Sequence, residues 1–478
     1  MLFNSGLFII GFLPLAYGGY MGLAGLGRRP ALAWLLVCSL GFYAWWKPPF
    51  VLLLMASMMV NYALGGRVCG RGGWWWLVLG LVFNLGILAA FKYTGWITAA
   101  LGHPVTGIFL PLGISFFTFQ QVMYLVDRHR GEIAPPPFLD YACFISFFAH
   151  LISGPIVRPG HILPQFAGLL PRKAWREHLA AGLEIFFLGL AKKLVLADGL
   201  ARFADPGFAA AARGDRVSLI EAWVALLAYG LQIYFDFSGY SDMAIGLARM
   251  FGLSFPLNFR SSYQARDIGD FWRRWNITLS GFLRDYLYIP LGGDRHGEAR
   301  RIANLMTTML LGGLWHGAAL RFVLWGGLHG LFLVVHGWSL RLRLRVPEAL
   351  SWALTQACVL LAWVPFRASS FAAAMDMYRG LFGLNGIAVP AILVQLWPGL
   401  ARLGEVVPVL PYVGEARTLS LPQAVMLLAL GWAIALALPE LHSMSPRRRA
   451  AAFVASFALC VQALVMAPAA VPFLYFQF

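Results

Sequence analysis

Long apolar runs recur along the whole chain and are separated by short polar loops. A helix of about 17 to 25 apolar residues crosses the roughly 30 Å hydrocarbon core of a bilayer. By this criterion the pattern predicts spans at residues 7–26, 31–46, 50–64, 74–98, 108–126, 181–200, 217–248, 303–319, 321–340, 350–366, 421–438 and 451–467. The predicted fold class is therefore all-α, a polytopic transmembrane helical protein of about 12 spans.

Two further stretches do not fit the pattern of a simple span. A crossing at residues 138–155 (FLDYACFISFFAHLISGP) would invert every later loop and place four basic residues outside, namely Arg158, Arg172, Lys173 and Arg176. Residues 271–293 (FWRRWNITLSGFLRDYLYIPLGG) carry too many charges to face lipid. Charged or non-helical backbone at membrane depth is stable only when it is buried in protein or lines a wet cavity. We therefore expect two re-entrant or interfacial elements that point inward, toward a site.

The basic residues lie in short loops that the predicted spans place on one side of the membrane. These loops contain Arg28 and Arg29, Arg67 and Arg71, Arg128 and Arg130, the 249–301 segment, the RLRLR of 341–345 and the RRR of 447–449. By the positive-inside rule this side is the cytoplasm, and both termini and the long 367–420 loop are outside. Topology thus explains the formal charge of +16, and the scatter of the basic residues argues against a nucleic-acid partner.

Composition agrees with a membrane protein, since 60% of the residues are hydrophobic, 12% are charged and the mean hydropathy is +0.70. No polar segment is large enough to fold separately, so we expect one membrane domain over 1–478 with 256–301 as a cytoplasmic or re-entrant element within it. Segment 367–420 is rich in Pro and Gly. It is either a cap on an outer opening or a flexible connector.

His316 is the first candidate for chemistry because it lies in a glycine-rich apolar stretch, LLGGLWHGAALRFVLWGGLHG, at 310–330. Glycines let a neighbouring helix or a long thin ligand approach the backbone closely. An imidazole inside a membrane protein is costly unless it is hydrogen-bonded or catalytic, and its neutral form accepts a proton near physiological pH. The stretch alone is compatible with a hydrogen-bonded structural histidine and with a catalytic one. For His329 and His336 we favour a structural or interfacial role.

A second candidate cluster lies in the charged 271–293 stretch. On a continuous helix, Trp272 and Arg273 share a face with Asn276, at spacings of four and three residues. Arg274 and Arg284 suit phosphate groups because guanidinium forks bind phosphate through two hydrogen bonds. A positive-inside interfacial helix would explain the arginines equally well, but not Asn276 or the aromatic residues.

Two carboxylates, Asp236 and Asp242, lie in one apolar span, YFDFSGYSDMAIG. Carboxylates in a span seldom face lipid. We expect them to pair with arginines of the next segment, and the alternative is that they orient catalytic groups.

Several motifs that define other mechanisms are missing from the sequence. It contains no GxSxG elbow, no Walker-type glycine loop and no HExxH, and its five cysteines form no CxxC and no metal-ligand spacing. We therefore expect neither a metal site nor a permanently bound cofactor. A histidine base without its own nucleophile fits direct transfer, in which the acceptor hydroxyl loses its proton to His316 and attacks an acyl thioester.

The motifs FWRRWN, LRDYLYIPLGG and TTMLLGGLWHGAAL resemble those of the membrane-bound O-acyltransferases, specifically their alginate O-acetyltransferase branch. The similarity runs nearly end to end, through LFNSGLFIIGFLPL, FYAWW, LPLGISFFTFQQVMYLVD, LISGPIVRPGHILPQF, YFDFSGYSDMAIGLA and LAWVPFRA.

This resemblance implies that His316 is the catalytic histidine and lies deep in a central pore. It implies acetyl-CoA as the acyl donor on the cytoplasmic side of a bacterial inner membrane. We expect this donor to be bound by Trp272, Arg273, Arg274, Arg284 and Trp315. The acceptor is then an exported polysaccharide such as alginate, or a periplasmic acetyltransferase, reached from outside. Asn276 departs from the branch, where His is expected, and would be the second catalytic residue, a hydrogen-bond donor.

Two alternative functions stay open. A D-alanyl transferase of teichoic acid takes its acyl group from a carrier protein, and the basic cytoplasmic face suits either donor because both carry phosphate. A non-catalytic channel or flippase for lipid-linked sugar would use His316 only to line its path.

Overall fold

The computed structural model describes residues 1–169, 174–413, 421–438, 445–466 and 471–474. The regular secondary structure of the described residues is helical apart from one short pairing of two strands. The α-helices, in chain order, are α1 (Leu13–Leu23), α2 (Arg28–Ala44), α3 (Pro49–Gly65), α4 (Gly73–Lys92), α5 (Thr94–Ala100), α6 (Ile114–His129), α7 (Phe138–Ser146), α8 (Pro159–Ala167), α9 (Trp175–Ala191), α10 (Asp198–Arg213), α11 (Leu219–Met250), α12 (Ile268–Arg274), α13 (Ile277–Leu283), α14 (Gly297–His316), α15 (Leu320–Arg341), α16 (Glu348–Arg367), α17 (Phe371–Leu381), α18 (Ala391–Leu396), α19 (Leu421–Ala437) and α20 (Pro446–Met466).

Shorter elements join these helices. Turns of π-helix lie at Leu7–Phe12, Lys192–Ala197 and Arg284–Tyr288, and 3₁₀-helices at Ala24–Leu26, Ser262–Gln264 and Pro398–Arg402. Strands β1 (Ala388–Pro390) and β2 (Glu405–Val407) pair in parallel, with Ala388 opposite Glu405. The predicted all-α class is confirmed.

Each predicted span overlaps a helix. The predicted 74–98 span is divided between α4 and α5, the 108–126 span becomes helical only at Ile114, and residue 467 of the last span lies outside the described residues. Among the described helices, those long and apolar enough to cross a membrane are Leu7–Leu26, Gly73–Lys92, Leu219–Met250, Leu320–Arg341 and Glu348–Arg367. Shorter apolar helices are Pro49–Gly65, Pro422–Ala437 and Arg449–Val465.

The chain forms two compact units, each built from separate segments of sequence. Unit 1 comprises residues 1–191, 239–258 and 445–478, and unit 2 comprises residues 192–238 and 259–444. This division was not predicted, because no linker or change in composition marks its boundaries along the chain.

Unit 1 is held by close helix contacts and by buried polar pairs. At Gly182 of α9 a Cβ atom would lie 2.6 Å from the carbonyl oxygen of Gly246 in α11, so only glycine permits this crossing. Asn61 and Asn84 exchange amide hydrogen bonds between α3 and α4. Such bonds matter in a membrane protein because lipid offers polar groups no partner.

Residues 138–155 in unit 1 have the shape expected of an element that does not cross. α7 has nine residues and rises only about 13 Å, and turns without regular helix follow it at 147–154. Almost every side chain in the stretch is buried, including His150, whose Nε2 lies 2.8 Å from the Phe144 carbonyl oxygen. Its re-entrant position in a bilayer stays a prediction, and Arg172 and Lys173 lie outside the described residues.

Unit 2 is organised around the antiparallel pair α14 and α15. A Cβ atom at Gly313 would lie 2.2 Å from the Phe322 carbonyl oxygen, and one at Gly326 would lie 2.2 Å from that of Met309. These distances are far below van der Waals contact, so the two backbones touch where both residues lack side chains. α16 joins the pair through Arg321, whose Nη1 donates to the carbonyl oxygens of Phe366 and Ala368.

The predicted 367–420 loop contains more structure than its Pro and Gly content indicates. α17 begins where the Ser370 hydroxyl accepts a hydrogen bond from the Ala373 amide, a standard helix N-cap. The strands β1 and β2 and helix α18 follow, so the interpretation as a flexible connector is wrong for residues 371–407. Residues 414–420 lie outside the described part of the chain.

We predict that Gly313→Ala and Gly326→Ala each destabilise the protein. The added methyl group must push α14 and α15 apart, and overpacking of this kind costs about 1 to 3 kcal/mol. Gly327→Ala is the matched control, because its Cβ would meet only a flexible Leu310 methyl group at 3.4 Å. Thermal unfolding in detergent measures the effect, and equal midpoints for the Gly326 and Gly327 variants would show that the contact does not matter.

Cysteine labelling tests the predicted topology. Cys69 is exposed, Cys38, Cys143 and Cys460 are buried, and Leu384 is 76% exposed. In intact cells a membrane-impermeant maleimide should label Leu384→Cys from outside, whereas Cys69 should react only after lysis. Labelling of Cys69 in intact cells, with Leu384→Cys protected, would invert the assignment of the two sides.

Candidate active site

His316 is the last residue of α14 and is 7% exposed. The helix stops there because Gly317 takes an extended conformation, in a place where a Cβ atom would lie 2.1 Å from the Phe322 ring. The imidazole contacts Trp315, Trp325 and Phe366 edge-on, with ring centroids 4.9, 5.0 and 5.1 Å away. His316 therefore lies in an aromatic wall built by α14, α15 and α16.

The wall includes residues that sequence reasoning missed. Trp325 on α15 stacks against Trp363 on α16 at 5.7 Å, and Phe366 packs on both. The sequence contained a weak signal, since Trp363 and Phe366 lie three apart in the WVPFR stretch and share a helix face. Nothing in the sequence indicated that this face meets His316.

His329 is the most unexpected member of the cluster. It is fully buried one turn after Trp325, and its ring lies 4.7 Å from Trp325 and 5.2 Å from Trp272. Both of its ring nitrogens, and the indole nitrogens of Trp272 and Trp325, lack a hydrogen-bond partner among the described residues. Buried polar atoms without partners are rare in native proteins. His329 thus lies one ring away from His316, beside the predicted Trp272.

Asn276 does not lie on a continuous helix with Trp272 and Arg273, and the predicted shared face is wrong. α12 ends at Arg274, Trp275 is extended, and Asn276 adopts the left-handed conformation, with φ 43° and ψ 53°. Asparagine tolerates this conformation better than most residues, which explains how the chain turns here into α13. Asn276 is 3% exposed, and its neighbour Trp275 packs 5.1 Å from Trp363. The turn therefore adjoins the same aromatic wall.

The predicted phosphate-binding arginines are mostly engaged with carboxylates. Arg274 donates to Asp270 at 2.9 Å. Arg284 donates to Asp285 at 2.6 and 3.1 Å, and this hydrogen bond raises the pKa of the Arg284 guanidinium. Arg273 is held more loosely, 3.8 Å from Asp270, and its side chain is 69% exposed. Of the three, Arg273 is the most available to a soluble ligand.

The buried carboxylates differ from expectation in their partner. Asp236 pairs with Lys193, an earlier residue in a turn of π-helix, at 2.7 Å. The same ammonium group lies 2.8 Å from Asp198. The prediction of an ion pair was right for Asp236. The predicted partner, an arginine of the next segment, was wrong, because the fold places Lys193 from the π-helical turn before α10 against this carboxylate.

Comparison with known proteins gives consistent results. The model of the membrane-bound O-acyltransferase family matches residues 73–364. The chain is 41% identical over 430 residues to the peptidoglycan O-acetyltransferase of Helicobacter pylori, covering 81% of each chain. It is 40% identical over 402 residues to the probable alginate O-acetylase AlgI of Pseudomonas aeruginosa, covering 80% of this chain and 75% of that one. The teichoic acid D-alanyltransferase of Bacillus subtilis is 25% identical over 243 residues, 49% of this chain and 60% of that one.

Substitution of Asn276 separates a backbone role from a chemical one. Asn276→Gly keeps the left-handed turn and removes the amide, so we predict a folded protein whose turnover falls roughly 5-fold to 150-fold. Asn276→His should retain measurable activity because His also tolerates this conformation and donates a hydrogen bond. Turnover per folded molecule is the measurement. A fully active Asn276→Gly enzyme would limit Asn276 to shaping the turn.

Proposed function

The chain belongs to the membrane-bound O-acyltransferase family, and we propose that it transfers an acetyl group from cytoplasmic acetyl-CoA toward an exported polysaccharide, with His316 as the general base. It is a multi-pass membrane protein and an acyltransferase. The observation that carries the proposal is the buried position of His316 at the end of α14, in a family whose members transfer acyl groups to hydroxyl groups.

Direct transfer needs one proton acceptor and one group that stabilises developing charge. The acceptor hydroxyl gives its proton to the His316 imidazole, and its oxygen attacks the thioester carbonyl carbon. The carbonyl oxygen becomes an oxyanion, to which the Asn276 amide donates. When the intermediate collapses, the carbon–sulfur bond breaks and the thiolate leaves with the proton that His316 holds. The aromatic wall excludes water, which favours transfer over hydrolysis.

The donor phosphates would bind on the side of the cluster formed by α12 and α13. Arg273 is exposed there and weakly paired, while Arg274 and Arg284 would have to share their guanidinium groups with Asp270 and Asp285. We expect Arg273 to make the largest phosphate contribution. Trp272 would pack along the donor arm, and Trp315 would position His316, which it contacts.

We place the enzyme in a bacterial inner membrane, surrounded by lipid, with the acceptor reached from outside. The acceptor is either the polysaccharide itself or a periplasmic acetyltransferase that passes the group on. The relatives with similarity over most of their length are named for peptidoglycan and alginate O-acetylation. The D-alanyl transferase alternative has less support, because that similarity covers about half of the chain. Membership of an acyltransferase family argues against a non-catalytic flippase.

The proposal predicts that His316→Gln lowers acetyl transfer by roughly 100-fold to 10,000-fold while the protein folds normally. Glutamine keeps a hydrogen-bonding side chain of similar reach and cannot act as a base. Release of CoA from labelled acetyl-CoA by purified protein, with and without acceptor, measures the loss. His103→Ala, in an exposed loop, is the matched histidine control. Wild-type turnover in His316→Gln would remove His316 from the mechanism, and turnover only with a D-alanyl carrier protein would reassign the donor.

A further inference from the structure

Unit 1 contains a groove that the proposed acyl transfer does not use. The groove has a volume of about 220 Å³ and runs between α1, α9 and the end of α11, where it is lined by Leu13, Tyr17, Leu179, Leu183, Phe186 and Met250. Its walls are almost entirely apolar. A cavity of about 150 Å³ with similar walls holds a benzene ring, so this groove accommodates a longer segment of hydrocarbon. We call it the α1–α9 groove.

The α1–α9 groove is closed on one side and open on the other. Phe186 lines it and is 0% exposed, whereas Pro14, which also lines it, is exposed, as is its neighbour Leu15. These α1 residues belong to the apolar helical stretch Leu7–Leu26, which is long enough to cross a membrane. The open side therefore faces the hydrocarbon of a bilayer, and a ligand would enter the groove from the lipid phase.

The length of the groove matches one leaflet of a bilayer. The α9 residues that line it extend from Leu179 to Phe187, a rise of about 12 Å. One leaflet contributes about 15 Å of the roughly 30 Å hydrocarbon core. The π-helical turn Leu7–Phe12 lies at the inner end, where the Phe8 ring is 6.4 Å from that of Phe186. The groove thus suits a single acyl chain that lies along α9.

The other end of the groove is basic. Arg176 lies three residues before Leu179, shares its helix face and is exposed. Arg249 directly precedes Met250, the α11 residue that lines the groove. A Cβ atom at Gly182 would lie 2.8 Å from the Met250 backbone nitrogen, so the end of α11 lies against the first turns of α9. The predicted topology places this basic end on the cytoplasmic side of the membrane.

Two polar atoms at the basic end are buried without a hydrogen-bond partner among the described residues. They are the Tyr17 hydroxyl and His178 Nδ1. The Tyr17 ring packs 5.6 Å from Phe251, which follows the end of α11. Burial lowers the pKa of His178 and the positive charge of Arg249 lowers it further, while Glu177 raises it, so these charged groups are neighbours. Buried polar atoms without partners are rare and destabilising, which indicates that a bound group supplies the missing hydrogen bonds.

We propose that the α1–α9 groove binds one anionic phospholipid of the cytoplasmic leaflet, with an acyl chain along α9 and the phosphate group at Arg176 and Arg249. Guanidinium groups bind phosphate through paired hydrogen bonds, and basic residues near the cytoplasmic surface attract anionic lipids. Glu177 opposes this attraction, but two guanidinium groups outweigh one carboxylate. The Tyr17 hydroxyl would donate to an ester carbonyl oxygen, which a phospholipid carries between its phosphate and its acyl chain.

The test uses full-length protein in lipid nanodiscs that contain a phosphatidylglycerol with a photoreactive diazirine in its acyl chain. Mass spectrometry of peptides then locates the label after illumination. We expect label on the groove residues of α1 and α9, and unlabelled phosphatidylglycerol should displace it at least about tenfold more effectively than phosphatidylcholine does. Equal displacement by the two lipids would show lipid contact without recognition of the headgroup and would overturn the proposal, as would label that is absent from both helices.

Variants separate the two parts of the site. Arg176→Gln combined with Arg249→Gln should abolish the preference for phosphatidylglycerol. Leu183→Trp fills the groove and should lower its labelling several-fold. Leu15→Trp is the matched control, because Leu15 is 63% exposed on α1 and does not line the groove, and it should label like wild type. Labelling of the groove that is equal in Leu183→Trp and Leu15→Trp would contradict the proposal.

Tyr17→Phe guards against misfolding as an explanation. It removes only a hydroxyl that has no partner in the described protein, so a purely structural role predicts unchanged displacement by phosphatidylglycerol. The proposed site predicts that several-fold more phosphatidylglycerol is needed for the same displacement. Wild-type displacement in both Tyr17→Phe and the double arginine variant would refute the site.

Discussion

The contact between α14 and α15 at Gly313 and Gly326 determines where His316 lies. Helices inside a membrane gain little from hydrophobic burial against each other, so close packing of small residues supplies much of their attraction. Here both residues lack a side chain at the point of contact. Gly313 precedes His316 by three residues, and Gly326 directly follows Trp325. The contact between the two glycines therefore sets the 5.0 Å distance between the His316 and Trp325 ring centroids.

The apolar surroundings of these helices also make the polar atoms near His316 informative. A polar group in an apolar environment is destabilising unless it is hydrogen-bonded or paired. Most buried polar side chains of this protein meet that requirement, as the Asn61–Asn84 and Lys193–Asp236 pairs show. The exceptions near His316 include both ring nitrogens of His329 and the indole nitrogens of Trp272 and Trp325, which have no hydrogen-bond partner among the described residues.

Much of the fold was predictable because apolar runs of membrane length allow little except helices. His316 was also predictable, since a histidine among glycines in an apolar stretch is unusual by itself. The turn at Asn276 was not, because the helical spacing of its neighbours is compatible with a continuous helix and the left-handed residue leaves only a weak sequence signal. The partner of Asp236, the role of Trp363 and the closeness of Arg321 to Arg367 depend on contacts between distant segments. The folded part of 367–420 was obscured by its Pro and Gly content.

Direct transfer with His316 as a base differs from a two-step reaction in one observable, the covalent state of the enzyme. Rapid mixing of wild-type protein with radiolabelled acetyl-CoA, followed by denaturation and mass spectrometry, measures that state. Direct transfer predicts that label moves to the acceptor in the same step that releases CoA, and that no acetyl group is found on the protein at any time. An acetyl group on His316 that forms before acceptor is added, and that disappears when acceptor is supplied, would contradict the role of His316 as a base.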